Sequence, residues 1–116
     1  MVGINDIAAG LGLDYILENY SEIINNLQSD LPKAQIIIQS ILPVGEKSEI
    51  SNSKVVLLNG LIKDLSAKFN VEYIDIYSLM VNEKGFLSNE YTVDGIHING
   101  LAYLNWVKYL RSRDLI

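Results

Sequence analysis

Between Ala34 and Leu42 the chain carries Ile36, Ile37, Ile38, Ile41 and Leu42 in an almost continuous apolar run. Such a run, without alternating polar positions, suits a strand covered on both faces, as in a parallel sheet with helices packed above and below it. This restricts the fold to the α/β class.

The flanking segments fit that frame. From Asp14 to Leu31, residues Ile16, Tyr20, Ile23, Ile24, Leu27 and Leu31 recur at helical spacing, and Pro32 ends the pattern. Pro43 to Ser53 is polar, contains Gly45, and is expected to form an exposed loop at the strand's carboxyl end, where sites on such sheets are built. Asn52 or Ser53 is expected to cap a second helix, with Leu57, Leu58, Leu61, Ile62, Leu65 and Phe69 on its apolar side. A short strand at Val71 to Ile76 follows, and Tyr77 to Tyr91 reads as loop with a helical turn near Leu79. Asn99 is expected to cap a last helix carrying the stripe Leu101, Leu104, Val107 and Leu110.

Met1 and Val2, the apolar pair before Gly3, read as the remnant of a further strand. A strand normally needs about five residues, so the chain is expected to be cut inside one. The alternation of strands and helices predicts a parallel sheet with right-handed crossovers.

Composition narrows the function classes. At 116 residues, with 49% hydrophobic and 20% charged content, the chain suits one globular domain. Fourteen acidic and nine basic residues give a net charge of -5, and no cluster of Lys or Arg offers the footprint that phosphate backbones require. Nucleic acid is therefore not expected as a partner. The lack of cysteine removes disulfides, thiol nucleophiles and thiolate metal sites, while leaving the compartment open. No segment approaches the ~20 apolar residues of a membrane span.

The stretch Tyr91-Thr92-Val93-Asp94-Gly95-Ile96-His97 places a carboxylate three residues before the only histidine. His97 is the one side chain whose ordinary titration range suits a general base near neutrality, and Asp94 could hold its ring across a turn. The plainer alternative is that His97 packs beside Ile96 and Ile98 while Asp94 caps a turn or the last helix. At the start of the chain, Gly3-Ile4-Asn5-Asp6 offers a similar choice. Asn5 could donate its amide to an oxyanion, with Gly3 permitting close backbone approach, or it could simply stabilise a turn at a strand end. Asp6 is expected to order this loop and to cap a helical turn beginning near Ile7. Ser40 lies in the apolar strand, and Ser48, Ser51 and Ser53 lack the strand-to-helix turn that presents a nucleophile. All four read as structural.

Taken together, Gly3-Ile4-Asn5-Asp6-Ile7, Gln39-Ser40-Ile41-Leu42-Pro43-Val44 and Asp94-Gly95-Ile96-His97 resemble blocks of the SGNH, or GDSL-like, hydrolase family of lipases and acylhydrolases. The resemblance implies a flavodoxin-like three-layer α/β/α fold with a parallel sheet, truncated at its N-terminus, with three strands and three main helices in residues 1–116. It also implies a single partial hydrolase domain, His97 as base, Asp94 as its orienter and Asn5 as an oxyanion donor, with Gly3 and Asp6 in the oxyanion loop. Neither metal nor organic cofactor is implied. The family's Gly-Asp-Ser nucleophile block and its second oxyanion glycine are absent from this sequence. The chain is accordingly expected to be inactive alone, as the C-terminal part of a serine ester hydrolase acting on a short acyl or O-acetyl ester.

Two other classes remain open. One is a non-catalytic α/β module whose open sheet edge is covered by a second copy of the chain or by an N-terminal fragment. The other is an unrelated flavodoxin-like domain in which Asp6 and Asp94 are ordinary loop carboxylates.

Overall fold

A parallel pairing of two short strands organises the computed structural model, which describes residues 2–116. The elements in chain order are α1 (Ile4–Ala8), α2 (Leu13–Asp30), β1 (Ile37–Gln39), α3 (Asn52–Lys68), β2 (Glu72–Ile74), α4 (Tyr77–Met80), a 3-10 turn (Asn89–Tyr91) and α5 (Gly100–Ser112). Ile37 stands opposite Glu72, Ile38 opposite Tyr73 and Gln39 opposite Ile74.

The pleat sends successive side chains to opposite faces, and the packing follows it. Ile38 and Tyr73 join Ile7, Ile16, Tyr20, Ile24, Leu58 and Ile62, from α1, α2 and α3, on one face. Ile37 and Ile74 join Met80, Ala102, Trp106 and Tyr109, from α4 and α5, on the other. Gln39 also points to the α5 side, where its side-chain oxygen accepts a hydrogen bond from the Trp106 indole at 2.9 Å. These are the three layers expected of the fold.

The expected strand from Ala34 to Leu42 is shortened by side chains that take over its backbone groups. After Ser40 N–H donates to the Ile74 carbonyl at 2.9 Å, Ile41 leaves the ladder. Its N–H donates to Asn59 Oδ1 at 2.7 Å and its carbonyl accepts from Asn59 Nδ2 at 2.9 Å. Ser40, fully buried, accepts from the N–H groups of Ile76 and Tyr77, both at 2.8 Å, and so ties the exits of the two strands together. It is a structural hydroxyl.

Several local expectations are corrected. The strand remnant at Met1 and Val2 falls partly outside the described residues, and Val2 belongs to no strand; its carbonyl instead accepts from the Tyr20 hydroxyl. The segment Pro43 to Gly45 is buried rather than exposed, because Asn52 accepts from Val44 N–H and donates to the Val44 carbonyl, each at 2.8 Å. Asn52 is thus the first residue of α3, and Ser51 occupies the cap position without a side-chain bond. On α3 the buried stripe runs through Val55, Leu58, Asn59, Ile62 and Ser66, leaving Leu57 exposed. The stripe of α5 is likewise rotated: Ala102, Trp106, Tyr109 and Leu110 pack inward while Leu101 and Leu104 face outward. On α2, Ile16, Tyr20 and Ile24 are buried, whereas Ile23 and Leu27, and Leu31 just past its end, are exposed. Among the described residues no helix is long and apolar enough to cross a membrane.

Candidate active site

The loop that enters α5 is closed at its base. Thr92 and Ile98 form an antiparallel bridge, Asn99 N–H donates to the Tyr91 carbonyl at 2.8 Å, and Asn99 Nδ2 donates to the Glu90 carbonyl at 2.7 Å. The same Asn99 caps the helix as expected, its Oδ1 accepting from Ala102 N–H at 3.1 Å. A residue that serves both loop and helix fixes where the loop projects.

Within this loop Asp94 performs two tasks. Its Oδ1 accepts from the N–H groups of Ile96 and His97, each at 2.8 Å, bending the chain into a turn. Its Oδ2 lies 2.6 Å from His97 Nδ1. The His97 imidazole, together with those two amides, holds the Asp94 carboxyl well below the usual carboxylate range. Because an ionised carboxylate is only an acceptor, Nδ1 must carry the proton of the shared bond, which leaves the Nε2 lone pair free on a neutral ring. The depressed value also sets the pH dependence. Stabilisation from this pairing is present above the ordinary carboxylate range and is lost as pH falls through the depressed one.

Both alternatives weighed for the motif meet a definite geometry. His97 does not pack into the core, since its side chain is 86% exposed and that of Asp94 53%. Asp94 does stabilise a turn, but with one oxygen, leaving the other for the imidazole. The clefts lined by Gln28, Pro32 and Glu72 and by Lys63, Tyr73 and Arg113 include neither residue. The pair stands on the surface, where an imidazole can take a proton from a group brought to it.

The amino-terminal motif is placed differently from expectation. A helical turn beginning near Ile7 is replaced by α1, which already starts at Ile4, so Asn5 and Asp6 lie in its first turn. Asn5 is exposed and Asp6 partly so, and among the described residues no hydrogen bond joins either side chain to Asp94 or His97. Gly3, buried at the cap of α1 with φ 123°, is required there: a Cβ would meet Ile41 Cδ1 at 2.7 Å. Through Gly3 this motif rests against Ile41 at the exit of β1, the segment whose further end reaches the histidine loop. Both motifs therefore flank the carboxyl end of β1, the side on which open parallel sheets build their sites.

Thr92 has no role readable from sequence, Gly45 only a place in a loop and Asn52 only that of a candidate helix cap, yet each helps to build this end of the sheet. Thr92 Oγ1 accepts from Gly95 N–H at 2.9 Å and donates to the His97 carbonyl at 2.7 Å. The available signal was its position two residues before Asp94, where a threonine hydroxyl can close a turn. Tyr91 opens the stretch that contains Asp94 and His97, but it does not face them. It packs against the α5 cluster instead, and its hydroxyl accepts from Asn105 Nδ2 at 2.6 Å.

The fold and this loop define an α/β protein whose single histidine is paired with a carboxylate ahead of the last helix. The chain belongs to the GDSL-like Lipase/Acylhydrolase family, which matches residues 1–104. It is 30% identical over 91 residues to the platelet-activating factor acetylhydrolase IB subunit alpha2 of Gallus gallus, covering 78% of this chain and 40% of that protein. The Rattus norvegicus counterpart is 33% identical over 97 residues, with 83% and 41% covered. Among solved structures, one from Streptococcus pneumonia described as a platelet activating factor superposes with a TM-score of 0.91 at 30% identity, covering 97% of this chain and 56% of that one. A GDSL-like lipase from Bacteroides thetaiotaomicron gives 0.82 at 26% identity, covering 98% and 58%. The chain thus spans about two-fifths of the curated relatives it matches.

Proposed function

We propose that residues 1–116 form the base-bearing part of one serine ester hydrolase domain, with His97 as general base, Asp94 as its orienter and Asn5 as an oxyanion donor beside Gly3 and Asp6. The observation that carries this reading is the 2.6 Å contact between His97 Nδ1 and Asp94 Oδ2, which leaves Nε2 exposed as a proton acceptor. In the reaction a serine hydroxyl supplied by a Gly-Asp-Ser block attacks the ester carbonyl while His97 Nε2 takes its proton. The Asn5 amide donates to the oxyanion that develops. His97 then returns the proton to the leaving alcohol, and water resolves the acyl-enzyme by the same exchange.

A short acyl or O-acetyl ester is the proposed substrate class, supported by the acetylhydrolase names of the relatives. A p-nitrophenyl ester series on a nucleophile-bearing parent checks this, with rates expected to fall as the acyl chain lengthens.

Because this sequence contains no Gly-Asp-Ser block, the chain alone is expected to hydrolyse p-nitrophenyl acetate no faster than its His97→Ala and Asp94→Asn variants. A rate that both substitutions abolish would instead place a nucleophile within this chain or across an interface between copies.

A second reading, a non-catalytic module that self-associates or receives an N-terminal fragment, is supported by one feature. Beside β1 on the side away from β2, Val2, Ile23 and Leu27 leave apolar surface exposed, and the strand edge there has no ladder partner among the described residues. Unpaired edges invite strand addition. Sedimentation at micromolar concentration is expected to show association; a monomer across that range would count heavily against this reading and would remove self-association from it.

A further inference from the structure

Two loops distant in sequence touch through bare backbone beside the Asp94 and His97 pair. Gly45, in the segment leaving β1, donates its N–H to the Gly95 carbonyl at 2.7 Å. A Cβ on Gly45 would lie 2.7 Å from Gly95 Cα, so the approach leaves no room for a side chain. Gly95 has φ 83°, a conformation that side chains disfavour.

The Gly45 side of this contact is stiff. Gly45 follows buried Pro43 and Val44, and the Val44 backbone is held at both polar atoms by Asn52, with Leu87 N–H donating to the same carbonyl at 2.9 Å. Inside the histidine loop, Thr92 Oγ1 joins Gly95 N–H to the His97 carbonyl. The amide and carbonyl of Gly95 and of His97 are thereby all engaged, by Gly45, Thr92 and Asp94. Since the side chains of Asp94 and His97 are largely exposed, packing cannot orient the imidazole. Its orientation rests on the Asp94 carboxylate and on the backbone that carries the two residues.

We infer that Gly45 and Thr92 are positioning residues for His97: they fix the Gly95 peptide between Asp94 and His97 and so hold Nδ1 against the carboxylate. This rests on the reading of His97 as the base. Neither residue touches a reacting atom. Their effect is on which nitrogen carries the proton and where Nε2 points.

The single histidine makes the test direct, because every imidazole resonance in the spectrum belongs to His97. Ring ¹⁵N spectra of the folded chain are recorded at a pH where the ring is neutral, with amide dispersion as the control for folding. In the wild type, Nδ1 is expected to show a protonated shift and Nε2 an unprotonated one. In Gly45→Ala and Thr92→Val the two shifts are expected to converge, as both tautomers become populated, while Thr92→Ser retains the wild-type separation. Should Gly45→Ala fail to fold, the contrast between valine and serine at position 92 decides the matter alone. Wild-type separation persisting in folded Gly45→Ala or in Thr92→Val would overturn the inference while leaving His97 as base. A wild type with no preference for Nδ1 would overturn that underlying reading, and the inference with it.

Discussion

Asp94→Asn is expected to invert the His97 tautomer with little change to the loop. The asparagine oxygen can still accept from the N–H groups of Ile96 and His97, so the turn made by Asp94 Oδ1 survives. In place of Oδ2, however, an amide NH₂ now faces Nδ1 across what was a 2.6 Å contact. Two donors cannot share one bond, so Nδ1 must accept and the proton moves to Nε2. The nitrogen proposed to take a proton from the nucleophile is then already occupied. In a hydrolase carrying both the serine and this chain, kcat for p-nitrophenyl acetate is expected to fall roughly 10⁴-fold, with KM changing far less. The tautomer change itself is measurable in the 116-residue chain by ring ¹⁵N shifts. If Asn at 94 leaves the proton on Nδ1, Asp94 is not what selects the tautomer.

The second large effect is on stability and lies away from the site. Asn59, only 7% exposed, closes a two-bond clamp on Ile41, donating to its carbonyl and accepting from its N–H. Asn59→Ala removes both partners at once, in a region where Ile41 is 1% exposed and water has little access. Each orphaned buried group costs about 1–3 kcal/mol, so the variant is expected to lose roughly 3 kcal/mol in all. Urea unfolding should show this as a midpoint lowered by about 1–2 M at unchanged slope. A loss below about 0.5 kcal/mol, the range of neutral surface changes, would mean that the backbone of Ile41 finds other partners and that the clamp is dispensable.

The same residue shows where sequence reasoning stops. The period of apolar residues placed α2, α3 and α5 correctly, because burial on one side of a helix must repeat about every 3.6 residues. It did not place the buried stripe of α3, where Asn59 and Ser66 are inside and Leu57 is outside. A polar side chain becomes a core residue only when a particular backbone group needs it, and that need arises from how β1 ends against α3. Leu101 and Leu104 were assigned inward on hydrophobicity alone, yet α5 turns Ala102 and Trp106 to the sheet. The Trp106 bond to Gln39 spans 67 residues of sequence and leaves no local trace.

The candidate site divides along the same line. Asp94 and His97 could be paired from spacing, since three residues across a turn bring a carboxylate to an imidazole wherever the turn forms. The Gly-x-Asn-Asp and Asp-x-x-His blocks were enough to reach the family, and the nearly continuous isoleucine run was enough to reach a parallel sheet, because both depend on local chemistry. The contact of Gly45 with Gly95, the burial of the loop after β1 and the placement of Asn5 on a helix starting at Ile4 were settled by tertiary packing. Each depends on backbone groups brought together from distant parts of the chain, where hydrogen-bond satisfaction and excluded volume act between segments that no local pattern relates.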